Sequence, residues 1–357
     1  MLPDAHFSLI PDRVALAGRW QALEARADAS FFLGWTWTDA WLDSYAVTPE
    51  LLAVVDGAGQ DIALALVGHA MTPRVLGPVA TLCLNQSGIA AADRPFVEYN
   101  GLLVAKGREE EGVRAALAAI AARRDWRAFR LSGVAPSSPL LALPGRRRTR
   151  VDQSPVYQVD LDRLRAESGD YLALLSANTR SQIRRSMKDH GGELPTVTRA
   201  ATLPEVEAGI EEMRALNVGR HADNAWEDDA VCRFITAVCL RGLANGEVEL
   251  LRFVDPGGTI GLLVNFVYRG RAMNYQSAFA TPLSSKDKPG LLCHAAAVSH
   301  CAGRGLSLYS LLAGKDRYKQ SLATSEESLE WWVIERFSPR LEVEAILRRL
   351  FRRPASA

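Results

Sequence analysis

Val54-Val55-Asp56-Gly57-Ala58-Gly59 and Phe253-Val254-Asp255-Pro256-Gly257-Gly258 carry one pattern twice. Each ends an apolar run with an aspartate and a glycine-containing turn. Each is followed by a second apolar run, over residues 62–67 and 260–268. Apolar runs on both sides of such a turn predict a β-hairpin, because aspartate and glycine accept the backbone conformations of a tight reversal. Two hairpins in equivalent settings predict an internal repeat and so two copies of one domain plan. Two unrelated hairpins with common turn chemistry would give the same pattern.

The flanking residues extend the plan. Before the first hairpin the apolar spacing predicts helices over 14–27 and 36–45, the latter with Trp37 and Trp41 four residues apart. After it come a helix over 110–123 and a strand over 128–131. The second half has helices over 171–188, 203–216 and 228–243 and a strand over 248–254 before its hairpin. An alternating strand over 272–280 follows, with Met273, Tyr275, Ser277 and Phe279 expected on one face. A helix over 291–302 and a buried-type strand over 306–312 complete it. The fold class is therefore α/β. Each half is a mixed, mostly antiparallel sheet flanked by helices, with a crevice where strands diverge beside a crossover helix. Residues 135–150, rich in Pro, Ser and Arg, read as the connection, giving domains 1–150 and 151–357.

Composition sets the class. A chain of 357 residues suits two domains, and 48% hydrophobic with 23% charged residues is a globular balance. A net charge of +1 lacks the polybasic signature of a nucleic-acid binder. Five cysteines without a CxxC pair fit a reducing compartment. With no visible signal segment and no apolar stretch of membrane-spanning length, a cytoplasmic location is expected, with at most peripheral contact at the inner membrane.

Three stretches carry candidate chemistry. In Ser284-Ser285-Lys286-Asp287-Lys288-Pro289-Gly290-Leu291, two lysines precede a helix start, where unpaired N–H groups suit a pyrophosphate. Lys286, Lys288, Pro289, Gly290 and Leu291 are thus donor-site candidates, although a solvated loop would read the same way. Gly314-Lys315-Asp316-Arg317-Tyr318-Lys319 follows a buried strand and forms a plausible active-site rim. There Tyr318 would protonate a departing thiolate, and Lys319 would hold an oxyanion or phosphate. On the helix over 171–188, Leu172, Leu175, Thr179, Ile183 and Met187 form the expected buried face, and Arg180, Arg184 and Lys188 a basic stripe suited to an anionic substrate. Tyr275, Ser277 and Lys315 are further substrate-contact candidates. His221 and Asp316 are candidate bases, with an ordered water as the alternative. Cys293, His294, His300 and Cys301 give only two ligands per helix face, so no metal site is expected.

Three of these motifs, Ser176-x-Asn178-x-Arg180-x-x-Ile183-Arg184-Arg185, Lys286-x-Lys288-Pro289-Gly290-Leu291-Leu292 and Gly314-x-x-x-Tyr318-Lys319, together with the Phe31-Phe32…Trp37…Trp41 opening, resemble the GNAT-superfamily branch that includes CelD-like acetyltransferases and FemAB peptidyltransferases. The resemblance implies two GNAT-like domains, chemistry in the second, and an acyl group joined to an amine, with a coenzyme A thioester as co-substrate. It implies Lys288 to Leu291 at the donor site and Tyr318 and Lys319 at the reacting centre. The chain departs from the pattern twice: the usual Gln/Arg-x-x-Gly-x-Gly/Ala loop is missing, and Ser310 stands where an acid is frequent. Expected acceptors are envelope amines, such as a sphingoid base or an amino sugar of an exopolysaccharide. The alternatives are an aminoacyl-tRNA donor, to which Arg146, Arg147, Arg148 and Arg150 would contribute basic surface, and a non-catalytic scaffold. Ile346, Leu347, Leu350 and Phe351 with neighbouring arginines suit peripheral contact with an anionic membrane, or a plain surface helix.

Overall fold

The structure, a computed structural model, describes residues 3–167, 169–219 and 224–351. The chain forms two compact units, Met1–Gln153 with Leu329–Ala357, and Ser154–Ser328. The first begins with β1 (Asp4–Leu9), α1 (Arg13–Glu24), α2 (Trp35–Tyr45), β2 (Glu50–Val55), β3 (Asp61–Thr72), β4 (Val79–Leu84), β5 (Leu103–Val104), α3 (Glu109–Ala122) and β6 (Ala128–Val134). β1 to β4 pair antiparallel in sequence order, and β6 joins β4 in parallel after the crossover through α3. Trp126, Phe129, Leu82, Val54 and Ile120 are packed in the core between this sheet and α3.

After β7 (Arg147–Asp160) come α4 (Leu161–Glu167), α5 (Tyr171–Leu174), α6 (Ala177–Asp189), β8 (Thr196–Arg199), α7 (Leu203–Asn217), α8 (Asp229–Asn245), β9 (Val248–Asp255), β10 (Gly258–Tyr268), β11 (Arg271–Phe279), α9 (Pro289–Gly303), β12 (Leu308–Ala313), α10 (Arg317–Leu322), β13 (Ser325–Glu335) and α11 (Pro339–Phe351). From β8 to β12 the second unit retraces the first. β8 to β11 pair antiparallel, and β12 joins β11 in parallel through the α9 crossover. The two predicted hairpins are β2–β3 and β9–β10, so the repeat is real at the level of topology. Local signals set the helix limits. Thr202 and Glu205 form a capping box at the start of α7, and Gly246, at φ 69°, ends α8 in a left-handed conformation that a side chain would disfavour.

The sixth strand of each sheet is exchanged. β7 follows β6 in sequence, yet its Val156 to Asp160 segment pairs antiparallel with β12. β13 follows β12, yet its Glu330 to Glu335 segment pairs antiparallel with β6. The expected second domain of 151–357 is corrected accordingly: residues 329–357 belong with the first unit. The open edge of β6 needs backbone partners, and β13 supplies them while adding Ile334 and Trp332 to the first core.

Residues 135–150 are likewise not a free connection. Leu140 and Leu143 are buried in the first core, and β7 begins at Arg147. Of the four arginines expected to form basic surface there, Arg148 donates to the Leu143 carbonyl at 3.1 Å and the other three face carboxylates. Arg147 meets Glu335 at 2.8 Å and Glu342 at 3.0 Å, Arg150 meets Glu330 at 2.6 Å, and Arg146 lies 3.7 Å from Glu342. The single helix expected over 171–188 is two. Leu175 is extended and Ser176 N-caps α6, its hydroxyl accepting from the Thr179 N–H.

Candidate functional site

β11 and β12 are partners only at Arg271↔Leu308, Ala272↔Tyr309 and Met273↔Ser310. Beyond that point the ladder between them ends and the parallel pair opens, at the C-terminal end of β12 where such sheets bind ligands. The split borders on β11. β10 is shielded from β12 by β11.

Irregular backbone marks both sides of the opening. On β11 the register against β10 shifts between Val264 and Asn265, inserting Tyr275 as a bulge residue. Strict alternation is therefore lost. Tyr275 stacks on Phe266 at 4.7 Å, whereas Ser277 donates from its hydroxyl to Asn274 Oδ1 at 2.9 Å. Tyr275 and Ser277, expected side by side, serve different contacts, and Ser277 joins Asn274, which was expected on the opposite face. On β12 the pairing with β7 is irregular between Ser310 and Ala313, and Leu312 sits at φ 58°. A non-glycine residue held there costs on the order of 1–3 kcal/mol, which the packing around it must offset. Ser310 stabilises this bend by accepting the Leu312 N–H at 3.1 Å, so it takes a structural place where the family pattern often has an acid.

The rim after β12 is compact. The Lys319 ammonium donates to the Ala313 carbonyl at 2.9 Å, folding its chain across Gly314. A Cβ on Gly314 would lie 2.7 Å from Lys319 Nζ, which explains the glycine. Tyr318 stacks on His294 of α9 at 5.9 Å and 23°. Burial, and then the charge of Asp316, push its phenol up to about 12, so it keeps its proton throughout the neutral range. Lys315 and Asp316 are exposed on the turn into α10. Beneath the rim His294 is fully buried. Its Nδ1 is 2.9 Å from the Tyr309 hydroxyl, and its Nε2 is buried without a hydrogen-bond partner. Burial, and then the charge of Lys319, depress the imidazole to about 3, so the ring is neutral. Sequence reasoning considered His294 only as a metal ligand and missed Tyr309. Nothing in the spacing of two buried residues on different elements announces their hydrogen bond.

The donor-side loop is held from below. Asp287 is buried and accepts from the Ser186 hydroxyl at 2.5 Å and the Leu283 N–H at 2.9 Å. His190, at the end of α6, bridges Asp287 at 3.2 Å through Nε2 and Asp255 at 2.7 Å through Nδ1. Burial works against the charge on His190, but its hydrogen bonds to Asp255 and Asp287 outweigh it and raise its pKa above the usual value. For the two aspartates burial is likewise the largest effect, and their hydrogen bonds overcome it and lower both. Ser186 also accepts the Lys288 N–H at 3.0 Å, and Ser284 accepts the N–H groups of Lys286 and Asp287. These amides are thus engaged before any ligand arrives.

α9 has no side-chain cap, so its first-turn donors are those of Gly290 and Leu291, Pro289 having none. Lys286 and Lys288 are exposed beside them. At Gly290 the space of a side chain is taken by Phe279. The ring of Phe279 lies 3.2 Å from where its Cβ would be, so the glycine serves packing. Leu291 is buried in the core.

The remaining candidates divide. Arg184 is exposed and Arg180 half-buried on α6, whose other edge carries Ser186 and His190. His221 lies outside the described residues. Among the described residues no cluster of three or more His, Cys, Asp or Glu side chains could hold a metal. An acid the sequence did not point to is Glu249 on β9. It is fully buried, receives Arg199 at 3.3 Å and a close bond from Arg304, and leaves Oε2 without a partner opposite the equally unpartnered amide nitrogen of Asn265.

The corresponding split of the first unit, between β4 and β6, is filled by the chain itself. Asn85 and Asn100 bond to each other at 2.8 Å. Asn100 joins the Leu84 carbonyl through its amide side chain and the Gly133 carbonyl through its backbone N–H. Gly133, at φ 66°, leaves no room for a Cβ beside the Val97 carbonyl.

Comparison with known proteins agrees with this geometry. Residues 177–320 match the family model of an acetyltransferase (GNAT) domain. That stretch lies within the second unit, which therefore carries a GNAT domain. Over its whole length it shares the fold of FemX (10% identity, 98% of this chain and 100% of that one covered, TM-score 0.58). The fold is also similar to the C-terminal domain of a putative lysylphosphatidylglycerol synthetase from Agrobacterium fabrum (11% identity, 93% and 94% covered, TM-score 0.52). A third likeness is to L-PGS from Bacillus licheniformis (9%, 93% and 95%, 0.52). No curated protein matches the chain.

Proposed function

We propose that the protein is an N-acyltransferase that moves an acyl group from a coenzyme A thioester to an amine. The observation that carries this reading is the β11–β12 split of a GNAT domain, with the α9 N-terminus on the donor side and a proton-bearing tyrosine on the other. The thioester lies in the split. Lys286, Lys288 and the N–H groups of Gly290 and Leu291 meet its pyrophosphate. The amine attacks the carbonyl carbon, forming the C–N bond. The C–S bond breaks, and Tyr318 gives its proton to the departing thiolate. The amine's surplus proton passes to water. Lys319, held over Gly314 by the Ala313 carbonyl, adds positive charge where negative charge develops. The first unit, with its own split filled, serves the acceptor side without chemistry. The acceptor class that fits the family's habit is an amine of the cell envelope, either a lipid amine such as a sphingoid base or an amino sugar.

The test is release of free thiol from acetyl- and palmitoyl-coenzyme A by the purified chain, with and without each amine. Acceptor-dependent release is expected. It should fall about a hundredfold in Tyr318→Phe, in line with the usual worth of one positioned acid. Thiol release from no donor–amine pair by folded protein overturns the proposal and favours the aminoacyl-tRNA reading, which binding of charged tRNA would then test.

A further inference from the structure

α11 presents its two faces the wrong way round for a helix on an aqueous surface. Its inward face carries Leu341, packed with Val79 and Ala128, and also Glu344, which is only 3% exposed, lies 3.8 Å from Arg74 as an ion pair and is closely bonded to Arg348. Its outward face carries Val343, Ile346 and Leu350, which are 49%, 56% and 73% exposed. These three positions are three and four residues apart, so they form one stripe along the helix. A helix in water buries such a stripe and exposes its glutamate. The sequence grouping of Ile346, Leu347, Leu350 and Phe351 is shifted by this rotation: Leu347 is half-buried and Val343 takes its place outside.

The same unit exposes Phe337 just before the helix, and Met71 and Val75 around the β3–β4 turn. Arg340 ties that turn to the helix by donating to the Pro78 carbonyl at 2.5 Å. Around the stripe the sequence is basic. Residues 340–353 hold Arg340, Arg348, Arg349, Arg352 and Arg353 against Glu342 and the sunken Glu344. An apolar stripe in a segment whose sequence is this rich in arginine fits a partner that offers hydrocarbon below and negative charge around it.

We infer that the Val343–Ile346–Leu350 face of α11 docks on an anionic lipid surface, lying in the interface plane rather than crossing it. Among the described residues no helix is long and apolar enough to cross. An interfacial helix buries its apolar side chains at the headgroup boundary and leaves its arginines at headgroup level. A second copy of the chain would also cover the stripe, but a symmetric contact would set the arginine groups of both copies against each other. The inference does not depend on the acyl-transfer reading.

The test is co-sedimentation of the full chain with phosphatidylcholine vesicles, with and without phosphatidylglycerol, at low and high salt. Binding is expected with phosphatidylglycerol present, and at least about tenfold weaker without it or at high salt. Val343→Glu with Ile346→Glu should weaken it by about a hundredfold while leaving the melting temperature nearly unchanged, because both side chains face outward. Leu350→Ser, a milder change, should weaken it by about tenfold and guards against misfolding of the double variant. Absence of binding by the unmodified chain overturns the inference, as does equal binding by the variants. A concentration-dependent mass doubling abolished by the same substitutions, without vesicle binding, would assign the stripe to self-association instead.

Discussion

Replacing His190 by alanine removes the cation that holds two carboxylates together beneath the donor-side loop. In the folded chain Asp287 is 1% exposed, and Asp255 lies 2.7 Å from the His190 ring. Breaking a buried pair from one side costs about 3 kcal/mol, because the remaining charge stays buried. For units of this size that lowers the melting temperature by roughly 6–12 °C. The deficit should also depend on pH. The folded-state pKa of His190 is raised, so its stabilising contribution is complete below the unfolded value of about 6.5 and is lost as pH rises through the folded value. A neutral ring offers one N–H to two carboxylates and cannot satisfy both. Asp255 and Asp287 are lowered, so their contribution is present above the ordinary carboxylate range and is lost only as pH falls through their depressed values. Thermal unfolding of both proteins between weakly acidic and alkaline pH reads the difference. A gap widest near pH 6 and narrowing as the pH rises above it is expected. A gap constant across that range, or none at all, refutes the claim that a charged histidine anchors the loop.

Gly314→Ala tests the placement of Lys319. The added methyl displaces a flexible side chain rather than backbone, so the melting temperature should move by only a few degrees, while turnover falls toward that of Lys319→Ala. Unchanged turnover would show that the Ala313–Lys319 contact is irrelevant to catalysis. His294→Leu leaves the buried Tyr309 hydroxyl without its partner and should cost about 1–3 kcal/mol. Adding Tyr309→Phe should recover part of that loss, and a denaturation double-mutant cycle with purely additive costs would contradict the pairing.

Much of the architecture was legible because it is local. The two glycine-containing turns, the capped helix α7 and the apolar run of α9 each declare themselves within a window of ten to fifteen residues, and Tyr318 and Lys319 were singled out as candidates because they follow a buried strand directly. What escaped depends on distant partners. Nothing near Ser325–Glu335 says that its partner is β6, and nothing near Arg147 says that Glu335 will neutralise it. The bulge at Tyr275 inverts the expected facing of Ser277 through a single residue's shift of register. The Ser186–Asp287–His190–Asp255 cluster joins three separate elements, and each of its members alone looks like an ordinary polar residue.

The exchange of final strands also bears on how the chain is made. A nascent first half emerges from the ribosome with the edge of β6 bare, and its partner at Trp332, which pairs with Leu131, is translated about 200 residues later. Until then that edge is a template for any other strand. At about 5–20 residues per second the exposure lasts on the order of ten seconds or more. The exchange thus couples the two halves in time. The first to be synthesised is the last to close, and a prematurely released chain carries an open strand edge.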